Sequence, residues 1–129
     1  MRILLDTTVL IDVLRGKPAA ARLRELSATA VPPYACAVNA DEIWRGTRES
    51  ERAAVERLLG ALREAPLGIA EGRKAGEWRQ RYARDGVTLS QADCLIAAAA
   101  VSVGATLATG NPDHFPMAEL SVEHWPVGK

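Results

Sequence analysis

The sequence predicts an α/β fold, a three-layer α/β/α sandwich around a mainly parallel sheet, and three observations carry that expectation. Short apolar runs at residues 2–5 and 105–109 have the length of buried strands. Stretches of helical periodicity separate them, so strands and helices alternate along the chain. Residues 90–103 are almost wholly apolar over a helical length, which places that helix at the centre of the molecule.

The elements follow in order. The run 2–5 ends at Asp6 and reads as the first strand, and residues 7–15 follow as a helix closed by Gly16 and Pro18. Residues 19–26 carry a short second helix, with an Ala21, Leu23, Leu26 stripe among Arg22, Arg24 and Glu25. Within 31–38 the Pro32-Pro33 pair confines any strand to what comes after it, because proline donates no ladder hydrogen bond. Asn39 opens a third helix running to about Glu49, Ser50 caps a fourth that reaches Arg63, and 67–69 is a brief strand. Residues 70–84 are amphipathic, with Ala75, Trp78 and Tyr82 on one side and Arg73, Glu77 and Arg81 on the other. After the apolar helix and the strand 105–109 comes the Gly110-Asn111-Pro112 turn, then a last edge strand at 120–124. No linker, repeat or low-complexity stretch interrupts this order, so a single domain is expected over residues 1–129.

Composition narrows the class. A chain of 129 residues is long enough for a hydrophobic core, and 48% hydrophobic with 25% charged content is ordinary for a globular protein. No apolar run approaches the ~20 residues that span a bilayer, and an acid at position 6 comes too early for a signal-peptide core. A cytoplasmic protein with no membrane association is the expectation. Cys36 and Cys94 lie inside apolar segments without metal or redox spacing, and read as buried free thiols. The formal net charge is zero, so bulk charge selects no partner. Lysine occurs only at Lys17, Lys74 and Lys129. The remaining basic residues are arginine, whose planar fork suits phosphates and carboxylates alike, although a GC-rich genome yields the same bias.

In an open α/β sheet, function collects at the carboxyl ends of the strands. Asp6 ends the first strand, Glu42 falls in the first turn of the helix after the second, and Asp93 falls in the first turn of the apolar helix. Asn111 and Asp113 follow the strand 105–109. Separate segments thus deliver oxygen ligands to one edge, an arrangement that repels itself unless a hard divalent cation sits within it. Each acid also has a structural explanation. Asn39-Ala40-Asp41-Glu42 and Ser90-Gln91-Ala92-Asp93 both fit a capping box, and an acid in a turn such as Asp113 is commonplace. Asp6 is harder to dismiss, because a carboxylate closing a buried strand is costly without a partner. Asp12, mid-helix beside Arg15, reads as a surface ion-pair member. His114 and His124 lack ligand spacing, and Trp44, Trp78 and Trp125 read as core or interface residues because no basic–aromatic interleaving surrounds them.

The segments carrying these acids resemble the PIN-domain family, specifically its VapC-type toxins. Leu4-Leu5-Asp6-Thr7-Thr8-Val9 is similar to the family's first motif, and Asn39-Ala40-Asp41-Glu42-Ile43-Trp44-Arg45-Gly46 to its second. Leu89-Ser90-Gln91-Ala92-Asp93-Cys94 resembles the third, and Ala108-Thr109-Gly110-Asn111-Pro112-Asp113-His114-Phe115 the fourth. The matches occur in register over essentially the whole chain. Two positions depart from the pattern. Asn39 stands where Ser or Thr is usual, and Asn111 occupies a position often held by Asp, with Asp113 two residues later; either approaches the ion, directly or through water. The resemblance implies a PIN-like sandwich, RNA cleavage dependent on Mg²⁺ or Mn²⁺, a homodimer, and inhibition by a cognate VapB-like antitoxin. Asp6 and Asp93 would ligate the metal directly, Glu42 and Asp113 would complete the shell or position water, and Thr8 and Thr109 would orient carboxylates.

Two rival readings exist. Asp6-Thr7-Thr8-Val9 superficially resembles the first motif of aspartyl-phosphate phosphatases, but Thr8 stands where those enzymes need a second acid. A catalytically silent PIN-like binding module would not need Asp6, Glu42 and Asp93 together.

Overall fold

In the computed structural model, which describes residues 1–27 and 31–128, five parallel strands form one sheet in the order β3-β2-β1-β4-β5. The strands are β1 (Ile3–Leu5), β2 (Tyr34–Ala35), β3 (Arg63–Glu64), β4 (Thr106–Thr109) and β5 (Val122–His124). The helices are α1 (Thr7–Leu14), α2 (Pro18–Ser27), α3 (Ala37–Arg45), α4 (Arg52–Gly60), α5 (Ile69–Arg84) and α6 (Gln91–Ser102).

The sheet is apolar on both faces because successive strand residues point to opposite sides. Ile3 and Leu5 join one core with Val9 and Leu10 of α1, Ala19 of α2, Ile43 of α3 and Val55 of α4. Leu4 and Leu107 face the other core, with Trp78 of α5 and Ile96 to Ala100 of α6. This is the expected sandwich. α6 is buried along almost its whole length, as its composition predicts. Both cysteines are buried and free, and burial raises both thiols, Cys94 to about 11, so neither is reactive.

Several local expectations are corrected. The strand expected at 67–69 is absent: Ile69 begins α5, and the strand is Arg63–Glu64. Arg63 N donates to Pro33 O and Ala65 N to Ala35 O, both at 2.9 Å. Two charged residues on a sheet edge give no apolar signal, since an edge needs none. α4 starts at Arg52 after a 3-10 turn, Glu49–Glu51, and stops at Gly60, so Ser50 is not its cap. α3 begins at Ala37 with Cys36 as its N-cap, two residues before the expected Asn39 start. Asp12 is no surface ion-pair member. It is 4% exposed and accepts from two backbone amides, Ala19 N at 3.2 Å and Gly128 N at 2.9 Å.

In this strand order the chain leaves β1 towards β2 on one side and returns as β4 on the other. The carboxyl ends of β1 and β4 therefore flank the switch point, where a crevice forms between diverging connections.

Candidate active site

Asp6 stands at that crevice as the N-cap of α1. Its backbone amide donates to Ala108 O at 2.9 Å, which ties the end of β1 to β4. Its side chain is fully engaged. Oδ1 accepts from Thr7 N at 2.8 Å, and Oδ2 accepts from the hydroxyls of Thr109 at 2.7 Å and Thr8 at 3.4 Å. Both hydroxyls are fixed in turn, Thr109 by the Asn111 amide at 3.0 Å and Thr8 by the Gly110 amide at 3.2 Å. Thr8 and Thr109 thus both donate to the same carboxylate oxygen.

Asp6 is only 5% exposed and has no basic partner among the described residues. Burial raises its pKa, and the nearby Asp93 charge raises it further, while the bonds from Thr109, Thr7 and Thr8 pull the other way. Asp93 lies in the first turn of α6, where its amide donates to Ser90 Oγ at 3.0 Å. The Ser90 cap is real and uses only the Asp93 amide; the Asp93 carboxylate lies near enough to Asp6 for its charge to act there.

Glu42 arrives by a different route. With α3 starting at Ala37, Glu42 lies in the second turn and has no capping role. Asn39 takes that role from inside the helix: fully buried, it accepts from Cys36 N at 2.8 Å and donates through Nδ2 to Thr7 Oγ1 at 3.0 Å. The Thr7 hydroxyl in turn donates a hydrogen bond to Glu42 Oε1 at 2.6 Å. A partly buried relay, Cys36 to Asn39 to Thr7 to Glu42, joins α3 to the first turn of α1.

The turn after β4 is closed by His114 N donating to Asn111 O and Phe115 N to Pro112 O, both at 3.0 Å. Asn111 and Asp113 are exposed, and no hydrogen bond or ion pair among the described residues joins Asp113 to the other acids. It is His114, in the same 3-10 turn (Pro112–His114), whose Nδ1 comes within 3.6 Å of Asp93 Oδ2. Sequence reasoning passed over Asn39, Thr7 and His114. The fourth-motif segment carried a signal for His114, being adjacent to the ambiguous acid; the Asn39 role depended on where α3 starts.

Among the described residues no three Asp, Glu, His or Cys side chains stand close enough to grip an ion unaided. The donor set nevertheless suits Mg²⁺ or Mn²⁺. Mg²⁺ keeps several waters and is held through one or two carboxylates, which is what Asp6 and Asp93 offer. Arg15 lines the same cleft as Glu42, whereas Arg2 donates to Val103 O at 2.7 Å from the amino end of β1, away from the acids. No helix among the described residues is long and apolar enough to cross a membrane.

Comparison with known proteins identifies the family. The family model for the PIN domain matches residues 3–120. The chain is similar to Ribonuclease VapC19 of Mycobacterium tuberculosis, 39% identical over 115 residues covering 88% of this chain and 92% of the relative. It is similar to Ribonuclease VapC10 of the same organism, 42% identical over 118 residues, 91% and 88% of the two chains. Among solved structures it resembles a chain of the Rickettsia felis VapBC2 complex bound to a promoter DNA fragment, with a TM-score of 0.84 over 97% of this chain and 99% of that one. At 22% identity that likeness is one of fold.

Proposed function

Because the chain belongs to the PIN-domain family, we propose that it is a metal-dependent endoribonuclease, the toxin of a type II toxin–antitoxin pair. The observation that carries this reading is Asp6: a buried carboxylate with every oxygen aligned by hydroxyl or amide donors, no basic partner among the described residues, and a second carboxylate beside it. The named relatives, both ribonucleases, support the RNA substrate.

Asp6 and Asp93 would hold a Mg²⁺ or Mn²⁺ ion, with Glu42 and Asp113 completing its shell or holding its waters. Such an ion would supply Lewis-acid chemistry, polarising a phosphodiester and lowering the pKa of water. The protein supplies orientation. Thr109 and Thr8 hold Asp6 Oδ2 in one position, and Thr7 directs Glu42 towards the crevice. In-line attack leaves a 5′-phosphate and a 3′-hydroxyl.

The same geometry argues against an aspartyl-phosphate mechanism. That chemistry needs a second acid two residues after the nucleophile, and here Thr8 holds that position and donates to Asp6 Oδ2 at 3.4 Å instead. A silent binding module would have no use for the relay that fixes Glu42.

The partner proposal rests on a cleft of about 340 Å³ that runs from Glu42 between α1, α3 and α4. Ile11, Leu14, Ile43 and Val55 give it apolar walls, and Glu42 and Glu51 give it acidic ones. A cognate antitoxin segment with apolar anchors, ending in Arg or Lys near the carboxylates, fits that chemistry. The complexes among the structural neighbours support such a partner. A homodimer belongs to the same proposal, and sedimentation equilibrium reads it.

Cleavage of RNA in Mg²⁺, abolished by EDTA and restored by added Mn²⁺, is the expected result. RNA left intact in both metals, with the ions bound, would return the chain to the binding-module reading. Adding the antitoxin should stop cleavage and weaken ion binding in calorimetry; unchanged ion affinity in a tight inhibited complex would mean that it only blocks RNA.

A further inference from the structure

Asp12 is the one buried carboxylate among the described residues that the proposed chemistry does not use. It sits on α1, one and a half turns beyond Asp6, at 4% exposure, and no basic side chain among the described residues is in ion-pair range. A buried charge is costly unless hydrogen-bonded, so its partners show why it is there. One is Ala19 N in the first turn of α2, where the positive end of the helix dipole favours an anion. The other is Gly128 N, 2.9 Å away, near the end of the described chain.

The bond to Gly128 holds down a segment that leads back to the acidic crevice. Trp125, fully buried, continues the β5 ladder by donating its amide to Thr109 O at 2.9 Å. Arg22 of α2 covers its ring at 4.4 Å and pairs with Glu123 at 2.6 Å. Between the anchors at 125 and 128 lies Val127, which presses on Gly110. A β-carbon at position 110 would lie 2.7 Å from Val127 Cγ2 and 3.4 Å from Thr8 Oγ1, so only glycine admits this contact. The Gly110 amide donates to Thr8 Oγ1 at 3.2 Å, and that hydroxyl donates to Asp6 Oδ2 at 3.4 Å.

We propose that Asp12 and Val127 are positioning residues for the acidic site: Asp12 latches the C-terminal segment, which seats Val127 on Gly110 and fixes the Gly110–Thr8 contact that orients Asp6. The inference rests on Asp6 being the site carboxylate and extends the machinery to a residue pair remote from it. It explains why a charge, rather than an apolar residue, fills position 12. An apolar side chain would pack against α2 but would leave the tail unlatched.

The test uses the full-length protein with Asp12→Asn, Val127→Ala and Val127→Ile. Two quantities are read: exchange of the Gly110 amide by NMR in the ion-free protein, and Mn²⁺ affinity by calorimetry or EPR titration. Asp12→Asn sets an amide nitrogen against one of the two N–H donors, and Val127→Ala empties the seat on Gly110. Both should speed Gly110 exchange about tenfold while amides of β1 stay protected, and weaken Mn²⁺ binding at least threefold. Val127→Ile keeps the β-branch and should behave as wild type. Unchanged Gly110 exchange in Val127→Ala, whose fold is least at risk, would overturn the latch. Faster exchange with wild-type Mn²⁺ affinity would overturn its reach to Asp6. Wild-type protein that binds no Mn²⁺ would instead strike the metal-site reading, leaving the latch to be judged on Gly110 exchange alone.

Discussion

The two halves of the acidic crevice are built differently. On the β1 side, Asp6, Thr7, Asn39 and Glu42 are knitted together by bonds of 2.6 to 3.0 Å, with Asn39 fully buried. On the β4 side, Asn111, Asp113 and His114 are exposed on a single 3-10 turn, and the nearest ionic contact is the 3.6 Å approach of His114 to Asp93. The first half keeps its geometry without an ion because helix α1, helix α3 and two strands over-determine it. The second half is held by the backbone hydrogen bonds of its turn, while its polar side chains stand in solvent. A site split in this way has one wall whose side chains are preorganised to define where an ion goes and another whose side chains are free to follow substrate.

The largest expected effect is on Asp6, where the fixed half carries an unneutralised charge. Asp6→Asn should lower RNA cleavage by about a hundredfold or more and abolish Mn²⁺ binding. Asp93→Asn should do the same. Stability should move the other way. The folded pKa of Asp6 lies above its ordinary 3.8, so the native state holds the proton more tightly than the unfolded chain. Its contribution is present below that ordinary value and is lost as pH rises through the raised one. In EDTA, wild-type Tm should therefore fall across that window. Asp6→Asn should lack this fall and melt about 3 °C or more above wild type at neutral pH. Equal melting temperatures at all pH values would mean that the charge is not a strain on the fold.

Next comes Glu42→Gln. Glutamine still accepts the Thr7 hydroxyl, so the relay survives and only the charge goes. Cleavage should fall by roughly 10- to 100-fold with Tm unchanged. Full activity would make Glu42 a structural terminus of the relay.

How far all this was legible in the sequence differs between the same two halves. Asp6, Glu42 and Asp93 could be placed because strand ends and helix starts fix them to within a turn. The elements were right for long periodic segments, such as α5 and α6, and wrong where a strand had only two residues, as at Arg63–Glu64. The start of α3 was missed because Cys36 is not a usual cap, so the polar Asn39 was taken for one. That slip of two residues hid the relay, since it put Glu42 in a first turn where capping explains it. Asp12 was misplaced for another reason. Its partners are backbone amides from α2 and the chain's end, and no local spacing announces an acceptor whose donors lie 7 and 116 residues away.

Asn39→Ala tests whether the relay is what makes the first half rigid. Removing the amide leaves the buried Cys36 N–H unpaired, which costs about 1–3 kcal/mol, and frees Thr7 from one of its two partners. Cleavage should drop about tenfold, as for loss of a supporting residue, so both stability and activity change. Loss of stability with full activity would show that Glu42 reaches its position without the relay.

The smallest effect is expected in the open half, at Asp113. Its side chain is exposed, so its attraction for an ion acts through water, where the effective dielectric is high and an exposed charge contributes on the order of 1 kcal/mol or less. Asp113→Asn should therefore slow cleavage only about threefold to fivefold, weaken Mn²⁺ binding by a similar factor, and leave Tm within about 1 °C, as for other exposed substitutions. Raising ionic strength should shrink the difference, because screening acts on an exposed charge and hardly on a buried one such as Asp6. An Asp113→Asn protein that cleaves like wild type would take Asp113 out of the site and leave the β4 side to Asn111 and His114. A loss as large as that of Asp6→Asn would mean that the turn folds inward when the ion binds, and that the open half is as well ordered in the working enzyme as the fixed one.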